Sequence, residues 1–147
     1  MRRPALTALF AALLVTTACG SDIIDGFVDG QPNVASMRLS IGTQIITINS
    51  AGTVTGGPLI LGSGSMVTIT ATFFTPDGAE DPNVTQASFQ LNATSSNLVT
   101  FQRNNVNPFA GTLTAGARGT TQLTFSLYDL EAQENEFGPF VVTVVVN

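Results

Sequence analysis

The chain has 147 residues, a formal charge of −5, and 44% hydrophobic against 10% charged residues, where a charged share of about a quarter is usual. That balance excludes disorder, which needs low hydrophobicity and high charge, and the length fits one domain. Beyond Arg2 and Arg3 the side-chain cations are Arg38, Arg103 and Arg118, with no Lys and no His. So sparse a set excludes a nucleic-acid binder, which needs clustered cations to displace counterions.

Met1-Arg2-Arg3 forms a short positive start, and Ala5 to Val15 (ALTALFAALLV) is an apolar run too short to span a bilayer. Together they have the form of a secretory leader, expected as a helix over residues 1–18. The following Thr16-Thr17-Ala18-Cys19-Gly20-Ser21 resembles a bacterial lipobox, with Thr16 in place of the usual Leu. The resemblance implies cleavage before Cys19 and diacylglycerol on its sulfur. It also implies further acylation of the new N-terminus. Cys19 is the only cysteine and cannot form an internal disulfide. Each buried acyl methylene contributes about 0.8 kcal/mol to membrane attachment. Gly20, where inner-membrane retention often has Asp, points by the same resemblance to the outer membrane. Loss of the leader would move the net charge from −5 to −7.

Residues 19–32 read as an acidic tether carrying Asp22, Asp25 and Asp29. Its Ile23, Ile24, Phe27 and Val28 are more apolar than a spacer requires. From residue 33 to 147 the hydrophobic period is two. Val34 to Ser40, Gln44 to Asn49 and Pro58 to Leu61 are the first strand candidates, with Gly52, Gly56 and Gly57 as breakers. In Ser65 to Phe74 the residues Val67, Ile69, Ala71 and Phe73 alternate with Thr68, Thr70 and Thr72. Thr75-Pro76-Asp77-Gly78 then makes a type I or II turn. Ala87 to Leu91, Leu98 to Gln102, Phe109 to Leu113 and Thr121 to Leu127 follow. The nearly all-apolar Phe140 to Val146 is expected to be central in its sheet or covered on both sides. The spacing predicts an all-β fold, an immunoglobulin-like antiparallel β-sandwich of about seven to nine strands.

Four stretches carry a resemblance to bacterial Ig-like domains of group 2, the repeats of intimin- and invasin-type surface proteins. They are Gly64-Ser65-Met66-Val67-Thr68-Ile69-Thr70-Ala71, Ser95-Ser96-Asn97-Leu98-Val99, Gly111 to Gly116 continued by Gly119 to Thr124, and Phe140 to Val146. The resemblance covers Val34 to Asn147 and implies a fold rather than an activity. The Trp often found before the Ser-Ser-Asn segment is missing, with Leu91 or Ala93 near that position. The stretch Ser40 to Leu61 is long enough for an extra hairpin. Tyr128 to Pro139 reads as a long loop, and the glycines as turn formers.

Two acidic loops are the candidate binding residues. Asp77, Glu80 and Asp81 lie in one; Glu131, Glu134 and Glu136, near Asp129, lie in the other. In an immunoglobulin sandwich these loops share an end, so a Ca²⁺ site lined by both is a candidate, since hard cations take carboxylate oxygens. The spacing is not that of an EF-hand, and a solvated loop is the plainer reading. Asn83 and Asn92 each sit in an Asn-x-Thr pattern that chance explains in an Asn- and Thr-rich chain. Nucleophilic catalysis lacks a base, because His and Lys are absent. Zinc and haem lack their usual ligands. Glycoside hydrolysis lacks Trp, and Tyr128 is the one Tyr. The expectation is therefore a non-enzyme without resident cofactor. It is attached to a membrane through Cys19 and acts as a structural, adhesive or protein-binding module toward another envelope or surface protein. The alternatives are Ca²⁺-dependent glycan or small-ligand binding through the acidic tip, and donation of the last strand to a neighbour's sheet.

Overall fold

A computed structural model describes residues 31–147; the expected leader helix, Cys19 and the expected tether up to residue 30 lie outside them. The described residues form ten strands: β1 (Ser36–Ile41), β2 (Gln44–Asn49), β3 (Val54–Thr55), β4 (Leu59–Leu61), β5 (Met66–Phe74), β6 (Phe89–Ala93), β7 (Val99–Arg103), β8 (Ala110–Ala115), β9 (Gly119–Asp129) and β10 (Glu134–Val146). They make a six-stranded sheet in the order β3-β2-β1-β5-β8-β7 and a four-stranded sheet in the order β4-β10-β9-β6. Without β2 and β3, the first sheet has the ABED order of an immunoglobulin sandwich, and β10-β9-β6 has the GFC order of its partner. Every pairing is antiparallel except that of β4 with β10. The strand number exceeds the expected seven to nine because the extra hairpin contributes both β2 and β3.

Alternation builds the core. Met37, Leu39 and Ile41 stand opposite Ile48, Ile46 and Gln44 on one side and Phe73, Ala71 and Ile69 on the other. Within the facing four-stranded sheet, Leu123 pairs with Val142 and Phe125 with Phe140. Leu39, Ile46, Ile69, Leu113, Leu123 and Phe125 are wholly shielded from solvent. On the outer face of the larger sheet, Arg38 lies between Thr47 and Thr72 and lays its guanidinium 4.3 Å from the centre of the Phe74 ring, a favourable cation–π contact.

Two sequence expectations change here and one is met. Tyr128 to Pro139 is not a long loop. β9 runs on to Asp129 and β10 begins at Glu134, leaving a tight turn with Gln133 at φ 58°. Irregularities between Asn135 and Phe137 and between Phe137 and Phe140 let the charged stretch continue as strand. The last strand is central, between β4 and β9, the first of the two alternatives expected of it, and is covered on one face: Val142, Val144 and Val146 are buried while Val141 stays 48% exposed. Gly111 is no turn residue. It lies inside β8, where a Cβ would come within 2.3 Å of the Phe101 ring.

Unpaired strand edges invite association and are usually protected. The Gln44 amide accepts the Ile60 N–H (2.9 Å) and donates to the Ile60 carbonyl (2.6 Å), occupying the outer edge of β4. Along β7, the Ser95 hydroxyl accepts the Phe101 N–H (2.9 Å) and the Ser96 hydroxyl accepts the Val99 N–H (3.0 Å). On β6, the Leu91 N–H donates to the Pro108 carbonyl (2.9 Å). β3 is only two residues long. The edge of β10 away from β9 is different: β4 accompanies it only from Val144 to Val146, and among the described residues no strand pairs with Phe140 to Thr143 on that side.

Candidate functional site

All seven carboxylate side chains of the described residues belong to the β5–β6 loop or the β9–β10 hairpin. The two segments share one end of the sandwich, as expected: the Leu130 N–H donates to the Ser88 carbonyl (2.8 Å). The chain also enters at this end. The Asn33 N–H donates to the Asp81 carboxylate (2.6 Å), the Asn83 side-chain amide donates to the Gln31 carbonyl (3.1 Å), and the Ala35 N–H donates to the Phe74 carbonyl (2.8 Å).

The carboxylates mostly serve the backbone around them. Thr75-Pro76-Asp77-Gly78 closes with a Gly78 N–H to Thr75 carbonyl bond of 3.0 Å. Asp77 is not among the positive-φ residues, so the turn is type I rather than type II. The Thr75 hydroxyl donates to the Asp77 carboxylate. That bond, helped by the Ala79 N–H, holds the carboxyl below its ordinary value of 3.8. Asp81 is 6% exposed and also accepts the Asn83 N–H (2.9 Å). It fastens the beginning of the domain to the loop. Asp129 accepts the N–H groups of Glu131 (2.7 Å) and Ala132 (3.0 Å), shaping the hairpin turn.

Asp77, Glu80, Asp81, Glu131, Glu134 and Glu136, the candidates for a shared cation site, therefore share an end of the sandwich. Among the described residues, no three acidic or other ligating side chains come together closely enough to hold a metal ion. Asp81 is turned inward to the Asn33 and Asn83 amides, and Glu134 and Glu136 belong to β10 instead of a flexible loop. Where the two segments meet, a shallow cleft of about 240 Å³ includes Gln31, Asn83, Ser88, Asp129 and Glu131.

The more distinctive surface involves the apolar last strand singled out in the sequence, together with a neighbouring segment that the sequence did not place beside it. Beside the open part of β10 lies a groove of about 380 Å³ lined by Val54, Gly57, Pro58, Val141, Val142 and Thr143, with no charged side chain. Ile60, 49% exposed, stands opposite Val145 and extends the apolar surface. The signal was present in Val141-Val142-Thr143-Val144-Val145: apolar residues occupy outward positions where a wet sheet face has polar ones.

No family model, no curated protein and no solved structure matches the chain.

Proposed function

We propose that this chain is a lipid-anchored cell-envelope module of the bacterial Ig-like type, with a non-catalytic, protein-binding role. The observation that carries the binding role is the open stretch of β10, from Phe140 to Thr143, beside an uncharged groove in a sandwich whose other edges are capped or very short. An extended segment of an envelope protein would add there as a strand, using backbone hydrogen bonds for affinity and small apolar pockets for selectivity. The anchoring part of the reading rests on the sequence: a leader-like run followed by a lone Cys19. By the lipobox resemblance, the outer membrane is the proposed address.

Two measurements test the two parts separately. Mass spectrometry of the native protein should find the chain beginning at an acylated Cys19; a free thiol or a different first residue refutes the anchor. A photo-crosslinking residue at position 141 or 60 should capture one dominant envelope protein in intact cells, whereas one at Gln102, on the other sheet, should not. Equal labelling at all three positions refutes the groove as the binding surface.

A further inference from the structure

The Asp77–Gly78 peptide bond is chemically vulnerable. In an Asp-Gly pair the glycine nitrogen can attack the side-chain carboxyl carbon. The carboxyl OH departs with the amide proton as one water, and a five-membered succinimide forms. Water then reopens the ring at either carbonyl, giving aspartate or isoaspartate with no net change in formula. Glycine favours this reaction because it puts no side chain in the way. Here steric protection is absent: Asp77 is exposed, and a Cβ built on Gly78 would meet nothing within 4 Å.

Hydrogen bonding supplies what bulk does not. The attacking group, the Gly78 N–H, is committed to the Thr75 carbonyl at 3.0 Å. The Asp77 carboxylate is drawn toward the Thr75 hydroxyl and the Ala79 N–H. One residue, Thr75, thus restrains both reacting groups. We propose that Thr75 is a positioning residue that guards the Asp77–Gly78 bond against succinimide formation, making Asp77 a suppressed site of isoaspartate modification. The depressed carboxyl pKa works in the same direction, because the ionised carboxylate is the poorer electrophile. The location gives the guard a purpose. Isoaspartate adds a methylene to the main chain four residues before Asp81, which ties down the start of the domain through Asn33.

The test is accelerated ageing of the purified chain at neutral pH, with isoaspartate at position 77 quantified by peptide mapping and fragmentation mass spectrometry. A synthetic Phe74–Asp81 peptide sets the unguarded rate. The folded protein should react more slowly than the peptide by about twenty-five-fold, as expected when two hydrogen bonds, each equivalent to about fivefold, must be broken first. Thr75→Val should react about fivefold faster than the unmodified protein, the equivalent of one such bond, while Thr75→Ser should keep the slow rate. If Thr75→Val does not melt cooperatively, Thr75→Ala takes its place. A folded protein that reacts as fast as the peptide overturns the proposal, as does a hydroxyl-free variant that reacts no faster than the original.

Discussion

Replacing Gly111 by alanine asks whether the packing between β7 and β8 is as tight as the structure indicates. The added Cβ would lie 2.3 Å from Phe101 Cε2, 2.7 Å from Cζ and 2.8 Å from the Gln102 carbonyl oxygen. Comfortable carbon contacts are about 3.5–4.0 Å, so the overlap exceeds what small adjustments absorb. The Phe101 ring is half-buried and can swing outward. The Gln102 carbonyl belongs to the backbone and moves only if β7 shifts. Overpacking of this kind typically costs about 1–3 kcal/mol. Replacing a strand glycine returns about 0.5–1 kcal/mol through the unfolded chain. The expected net loss is about 1–1.5 kcal/mol, read as a lower urea midpoint at unchanged slope, or a Tm lower by roughly 3–7 °C for a domain of this size. In a double-mutant cycle, Phe101→Ala should relieve part of the loss with a coupling of about 1 kcal/mol, leaving the Gln102 clash in place. A Gly111→Ala protein within about 0.5 kcal/mol of the original, or one showing no coupling to Phe101, refutes the reasoning.

Asp81→Ala should cost about 2 kcal/mol, because it removes the charged acceptor, itself buried, of the part-buried Asn33 and Asn83 backbone N–H groups. Hydrogen exchange at those two amides should accelerate more than at Leu39. Asp77 should titrate below 3.8 by carboxyl NMR in the folded chain and move upward in Thr75→Val. Since its folded pKa is the lower one, its contribution is present above the unfolded value and fades as the pH drops through the folded one. The Ser65 hydroxyl is buried without a hydrogen-bond partner, so Ser65→Ala should equal or exceed the original in stability by up to about 1 kcal/mol; a clear loss in a urea melt would show that the hydroxyl is satisfied.

Period-two patterning made the sandwich legible. In β5, Ile69, Ala71 and Phe73 are buried between Thr68, Thr70 and Thr72, and the same rule located β9 through Leu123, Phe125 and Leu127. The length of Ser40 to Leu61 was enough to expect the added hairpin. Charge misled at Tyr128 to Glu136, because exposed hairpin strands tolerate carboxylates as readily as loops do. The placement of Asp77, Asp81 and Glu131 at one end followed from strand order, but what each carboxylate does depends on amides such as that of Asn33, 48 residues distant in the chain from Asp81. No local pattern carries that partnership. The open edge of β10 was illegible for a similar reason: it depends on where β4 begins, at a pairing of Leu59 with Val144.

The amide of Gln44 and the hydroxyls of Ser95 and Ser96 have a consequence for crowding. A sandwich with two bare flanks can propagate side by side into filaments, each copy templating the next. Among the described residues, β4 and β7 are capped by these side chains, β6 meets the Pro108 carbonyl and β3 is very short, so side-by-side growth from this chain is confined to one short run of β10. A strand added there would carry its own outer edge, so any further extension would be set by the newcomer and not by this sandwich.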